Sequence, residues 1–225
     1  MLQNLDGGLF VADHDFSLLG TNIGTRTTVI RLSDGGLWVH SPGPMTGEWA
    51  DDVDALGDVR FLIAPNAFHH LYLGDAQQRW PQARCHGAPG VAGKQKSLAF
   101  AAELSDEADG GWATDLDQVG IGGAPKVNEF AFLHQATRTL LLVDLVFNME
   151  SRSLLESLFL RINGSVGLGT SRLMRFLLKD REATRDSVET ILEWDFDRVI
   201  MAHGDILERD AKESLRGSFD WLLSG

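Results

Sequence analysis

The stretch Phe61-Leu62-Ile63-Ala64-Pro65-Asn66-Ala67-Phe68-His69-His70-Leu71 begins as an apolar run of strand length and ends, past a proline, on two consecutive histidines. A short run of this kind reads as a buried strand. The proline closes it, because a residue without an N–H cannot extend a ladder. Three other runs repeat the layout: Leu37-Trp38-Val39 leads to His40, the apolar run 140–143 to Asp144, and the run 199–202 to His203. In an open α/β sheet, ligands gather beyond the carboxyl ends of the strands. Runs that deliver His40, His69-His70, Asp144 and His203 to that edge predict a metal site there.

The surrounding pattern supplies two batches of strands with helices around them. In the first, residues 8–12, 26–32 and 37–40 read as strands, with Asp34-Gly35-Gly36 as a tight turn. A helix over 48–56, a strand over 59–64, helical spacing over 70–79, a strand over 82–86 and a short helix over 89–96 complete it. Strands resume at 116–121, 129–134 and 139–143. Helices over 153–161, 171–178 and 182–193 follow, then a strand over 198–202 and a helix over 209–223. The expected class is α/β (α+β), a four-layer αββα sandwich built as a single domain over 1–225. Residues 151–180 are expected to form a helical insertion after the aspartate-bearing strand. The glycine-rich run 164–169 lacks the Lys-Ser/Thr of a phosphate loop and reads as a flexible connection between helices. Arg172, Arg175 and Lys179 share one helical face, read as solvated.

Composition limits what this domain can do. At 225 residues the chain can bury a sizeable core. A net charge of -12 excludes a broad basic face for nucleic acid or anionic lipid. No apolar run approaches the roughly 18 to 20 residues that cross a bilayer. Cys85 stands alone, so no internal disulfide can form. With no basic or apolar leader in the first residues, the expectation is a cytoplasmic protein acting on a small molecule, without nucleic-acid or membrane partners.

The segment 63–71, the run 139–147 and Ala202-His203-Gly204 resemble, in order and setting, motifs of the metallo-β-lactamase superfamily. These are a strand leading into H-x-H-x-D-H, a strand ending in a metal-bridging aspartate, and a late strand ending in histidine-glycine. The chain resembles a diverged member, close to a bacterial branch with His40-Ser41-Pro42 early and Ala202-His203-Gly204 late. The resemblance implies that one of the two metal sites is lost. Its ligand positions fall on Pro65, Ala67 and the neighbourhood of Pro125, whose side chains cannot coordinate. It also implies that the other site survives on His69, His70, Asp144 and His203, with His in place of Asp at position 69. β-Lactam, thioester, phosphodiester and lactone hydrolysis all occur on this fold.

Three imidazoles and one carboxylate suit one transition metal ion, zinc in the first place and iron or manganese as alternatives, rather than magnesium or calcium. Four protein ligands would close a tetrahedral zinc site, which is the structural pattern, so catalysis would need a further position. The leading expectation is a mononuclear metal-dependent hydrolase. The alternatives are a non-catalytic protein that keeps the fold and a structural metal, and a mononuclear iron or manganese oxidoreductase. His40 and Glu129 are candidates to stand behind the ligands, His40 equally as a structural hydrogen-bonding residue. His134, before the turn at 135–138, is expected to be exposed, and Cys85 to be a small buried residue.

Overall fold

The computed structural model describes residues 1–18, 20–150, 164 and 166–224. Seven strands form the larger sheet: β1 (Gln3–Asp6), β2 (Leu9–His14), β5 (Thr25–Arg31), β6 (Leu37–His40), β7 (Val59–Ala64), β8 (Arg84–Gly87) and β9 (Ala102–Glu103), in that spatial order. The ladder is antiparallel from β1 to β6 and parallel from β6 to β9. The change follows from the connections. Antiparallel strands close through short turns, whereas parallel strands need a crossover, supplied by helices α1 (Trp49–Leu56) and α2 (Leu73–Arg79) and by the segment holding α3 (Val91–Lys94). The hairpin β3 (Ser17–Leu18) and β4 (Thr21–Asn22) stands beside this sheet.

The second sheet orders β10 (Leu116–Gly120), β11 (Phe130–His134), β12 (Thr139–Leu141) and β15 (Arg198–Ile200), with β12 and β15 parallel. A small ladder joins β13 (Phe147–Met149) to β14 (Gly167–Gly169). Helices α4 (Arg172–Leu177), α5 (Arg181–Glu193), α6 (Ala211–Ser218) and α7 (Asp220–Leu223) accompany this half.

Strand alternation shows how the layers stack. On β11, Phe132 joins Trp38, Phe61 and Trp112 in one buried cluster, while its neighbours Ala131 and Leu133 join Val188, Ile191 and Leu215 of the helices in another. Leu141 and Ile200 side with the first cluster, and Leu140 and Val199 with the second. A two-residue period sends alternate side chains to opposite faces, so one set fills the space between the sheets and the other seats α5 and α6. Those are the αββα layers. Among the described residues no helix is long and apolar enough to cross a membrane.

Three readings of the sequence need correction. The run 164–169 is not simply a flexible connection: Gly167 to Gly169 pair with Phe147 to Met149, because ladder hydrogen bonds satisfy a backbone that glycine side chains cannot bury. His134 is buried at 1% exposure, its Nδ1 2.8 Å from Thr137 Oγ1. The last helix breaks at Phe219, whose buried ring sits between α6 and α7. The helix expected over 153–161 lies outside the described residues.

Candidate metal centre

The parallel pairs β6–β7 and β12–β15 end at the same edge of the sandwich. β7 stops at Ala64, and the chain turns through Pro65 to Asn66, whose carboxamide oxygen accepts from Phe68 N at 2.9 Å and His69 N at 2.8 Å. That side-chain turn caps the irregular backbone after the strand and fixes where His69 emerges. β12 ends at Leu141, and Asp144 follows within three residues. β15 ends at Ile200, and His203 follows with Gly204. At Gly204 φ is +94°, and an added Cβ would stand 1.9 Å from the Asn148 carbonyl oxygen, so only glycine fits behind this histidine. Arg26, buried and paired with Asp13 at 2.6 Å, donates to the carbonyls of Met201 and Gly204 at 2.9 Å each. It ties the His203 turn to the larger sheet.

These turns bring His69, Asp144 and His203 together, with one ligand atom from each lying within 4.8 Å of the others. His69 Nε2 is 3.4 Å from Asp144 Oδ2, and His203 Nε2 is 3.3 Å from Asp144 Oδ1. The opposite ring nitrogens are engaged elsewhere. His203 Nδ1 donates to the Gly24 carbonyl at 2.8 Å, which leaves Nε2 to face the carboxylate. His69 Nδ1 lies 2.7 Å from Ser41 Oγ. Ser41 holds φ +52° directly after β6, a left-handed conformation that costs a non-glycine residue of order 1–3 kcal/mol and is retained only where surroundings demand it. A hydrogen bond to the remote nitrogen is how metal-binding imidazoles are oriented.

Two carboxyls at this floor, Glu129 buried and Asp144 partly buried, have opposite fates. Glu129, 1% exposed, accepts from the backbone N–H groups of Val143, Asp144 and Leu145 at 2.9 Å each. Burial, reinforced by the charge of Asp144, still raises it to about 7. Burial also opposes the charge on Asp144, but His69 and His203 outweigh it and hold that carboxyl well below its usual range. Burial disfavours a charged His203 as well, yet Asp144 and the Gly24 carbonyl outweigh it and raise its pKa. Asn66 Nδ2 donates to Asp144 Oδ2 at 2.7 Å and lies 3.5 Å from Glu129 Oε2, so one carboxamide links both acids to the His69 turn.

The donor set fits a transition metal. Two imidazoles and a carboxylate, with remote nitrogens occupied, place the two Nε2 atoms 3.4 and 3.3 Å from different oxygens of the one carboxylate, and this is a donor set of the kind that holds zinc and other transition metals. Three protein donors, unlike four, leave a position for water or substrate.

The other sequence candidates are placed differently. His70 lines the same cavity but is not in the converging group; its Nδ1 is 2.9 Å from Gln95 Nε2, which also donates to the His70 carbonyl at 3.2 Å. Consecutive residues leaving a turn need not aim alike, and Gln95 holds this ring. His40 is buried, stacked on Trp38 at 5.4 Å and edge-on to Phe132 at 5.6 Å, and burial pulls its pKa down to about 3. It is a neutral neighbour behind His69. Glu129 stands behind Asp144, its oxygens committed to backbone. The amide of Ala67 donates to the Val127 carbonyl and the Pro65 carbonyl accepts from Phe130 N, while the Ala67 carbonyl accepts from Lys94 Nζ at 2.6 Å. Ser41, Asn66 and Gly24 were not singled out in the sequence. An asparagine straight after the strand-ending Ala64-Pro65 is the one legible hint among them.

Above the floor opens a 390 Å³ cavity with Phe16, Ile23, Phe147, Met149 and Met174 in its walls. Leu18, Phe68, Leu71 and Leu173 also line it and are 40%, 43%, 57% and 53% exposed, which puts them at its mouth.

Residues 6–155 match the family described as "Domain of unknown function (DUF4336)". The chain belongs to that family. No curated protein matches the sequence. Among solved structures, the chain is similar to a metallo-β-lactamase from Pontibacter korlensis at TM-score 0.67 and 12% identity, covering 100% of this chain and 99% of that one. It is also similar to the mono-zinc form of the metallo-β-lactamase FIM-1 from Pseudomonas aeruginosa, at TM-score 0.64 and 12% identity over 99% and 96%. The metal-soaked Flv1 flavodiiron core from Synechocystis sp. PCC6803 matches at TM-score 0.66 and 11% identity, over 100% of this chain and 60% of that chain. At such identities the likeness is one of fold: this DUF4336 chain has the metallo-β-lactamase fold.

Proposed function

We propose that this DUF4336 protein is a mononuclear metal-dependent hydrolase of a small molecule, with His69, Asp144 and His203 as ligands. One observation carries the reading: two imidazole Nε2 atoms converge on one carboxylate, and the floor they form opens into a cavity rather than into core. A closed structural site would surround its ion with protein. When bound, a transition metal there supplies Lewis acidity and an activated water.

The residues present divide the remaining work. Ser41 and Gly24 hold the two rings by their Nδ1 atoms. Asn66 sets the rotation of the Asp144 carboxylate. Glu129 pins the backbone that carries Asp144. The walls around that floor are largely apolar. In hydrolysis, the water oxygen ends on the acyl carbon, the bond to the leaving group breaks, and a proton from that water goes to the leaving group. Pro65 and Ala67 offer no side-chain ligand, which supports one ion rather than two.

The test combines metal analysis with turnover on ester, thioester, lactone and phosphodiester substrates. Hydrolysis by metal-loaded protein that disappears in Asp144→Ala and His203→Ala supports the enzyme. No turnover on any class, with a sharp fall in melting temperature on metal removal, favours a structural ion. A second reading has the donor set behind it: two histidines and a carboxylate also hold mononuclear iron in oxygen-handling sites. Iron content after anaerobic purification, with oxygen consumption, distinguishes it.

A further inference from the structure

Lys94, the last residue of α3, is the one lysine or arginine among the described residues that line the cavity. The chain has a net charge of -12, yet none of the described acids pairs with this ammonium. It is held all the same: Nζ donates to the Ala67 carbonyl at 2.6 Å and stands 5.4 Å from the Phe68 ring centre. An ammonium carries three N–H groups, so the bond to Ala67 leaves two. The next residue, Gln95, prepares a second donor. Its Nε2 lies 3.2 Å from the His70 carbonyl and 2.9 Å from His70 Nδ1. A carbonyl can only accept, so the end of the carboxamide facing it is the NH2, and Nδ1 beside the same nitrogen accepts too. The ring proton is therefore on Nε2, which has no partner among the described residues. His70 lines the cavity and follows the metal ligand His69 directly. Lys94 and Gln95 thus fasten the turn that carries Ala67 to His70, and bring an ammonium and an imidazole N–H together beside the floor. Hydrogen bonds from a charged donor to carboxylate or phosphate oxygens are roughly twice as strong as neutral ones.

We propose that Lys94 and His70 form an anion subsite at the side of the metal floor. It holds a carboxylate or phosphate group of the substrate, away from the bond that is hydrolysed, and so selects acidic small molecules. That the anion belongs to a substrate rests on the hydrolase reading; the subsite itself rests on the two donors. His70 is then a specificity residue, which is the use the fold has for a histidine that stands next to a ligand without being one.

The experiment separates the two claims. Zinc-loaded protein, and the same protein after metal removal, are titrated calorimetrically with phenylbutanoate, with phenylpropyl phosphate and with the neutral phenylbutanamide. The preference for anion over amide falls about tenfold in Lys94→Met, with or without the ion, and Lys94→Arg keeps most of it. His70→Ala lowers it about threefold, and the wild-type preference shrinks as salt is raised. The melting temperature holds in Lys94→Met, because Lys94 is exposed. The tighter of the two anions identifies the group as carboxylate or phosphate. No preference in the wild type, or a preference unchanged in Lys94→Met, overturns the proposal. Turnover by the zinc-loaded protein is compared on the anionic mono-nitrophenyl ester of succinate and on neutral nitrophenyl pentanoate. Lys94→Met should raise KM about tenfold for the anionic ester alone and leave kcat unchanged. Anion preference without turnover of any substrate class leaves the subsite standing and removes the hydrolase reading. Turnover of both esters without anion preference does the reverse.

Discussion

The floor and the mouth of the cavity are built on opposite principles. In the floor the ligand side chains and the acid behind them are tied: His203 by Gly24, His69 by Ser41, Asp144 by Asn66, and Glu129 by three amides. At the mouth, Leu18, Phe68, Leu71 and Leu173 are exposed hydrocarbon. Orientation of ligand atoms tolerates little displacement, so it is made from buried hydrogen bonds that lose much when one partner goes. Apolar contact with a ligand needs area more than angle, so flexible side chains suffice there. The contrast predicts that equal truncations cost far more in the floor than at the mouth.

Glu129→Ala should show the largest effect. It leaves three N–H groups, two of them in buried hydrogen bonds, without their acceptor, and a loss of about 3–5 kcal/mol in denaturant unfolding is expected. Glu129→Gln, which keeps one acceptor oxygen, should cost less. Equal losses from both would mean that the carboxylate is not what holds the 143–145 backbone.

Acid provides the next test of a buried polar interior. His40 is held neutral, its pKa lowered to about 3, and His14, also buried in part, to about 4. The unfolded chain titrates near 6.5. Between these values the unfolded state binds more protons than the folded one, so stability is full above about pH 6.5 and falls as the pH drops. His40 alone contributes a loss on the order of 3 kcal/mol by about pH 4. His40→Phe should flatten that slope in melting temperature against pH; an unchanged slope would place the acid sensitivity elsewhere.

Asn66→Ala and Ser41→Ala should each weaken metal binding about tenfold to a hundredfold, because they free the carboxylate and the His69 ring to rotate. Competition with a chelator of known affinity measures this, and unchanged affinity would make both residues merely structural. The smallest effect belongs to the mouth: Leu173→Ser should move stability by no more than about 0.5 kcal/mol. A larger loss would show Leu173 packed into the fold rather than offered to a ligand.

The sequence disclosed more of the framework than of the site's wiring. Runs such as 140–143 and 199–202 declare themselves because a strand buried on both faces is apolar throughout. The residue after each run then falls at the sheet edge, where Asp144 and His203 are found. His70 could not be separated from His69 that way, since the direction of a side chain leaving an irregular turn is set by partners distant in sequence, here Gln95. Ser41 escaped because its role depends on a left-handed backbone and a partner 28 positions away. His134 was misjudged because proximity to a turn suggested exposure, whereas the β10 and β12 neighbours of its strand bury it.

Native mass spectrometry of the zinc-loaded protein tests the central claim most directly. The account predicts one ion on the wild type, one on His70→Ala, and none on His69→Ala, Asp144→Ala or His203→Ala under the same conditions. Loss of the ion from His70→Ala, its retention in Asp144→Ala, or a second tightly held ion on the wild type would contradict it.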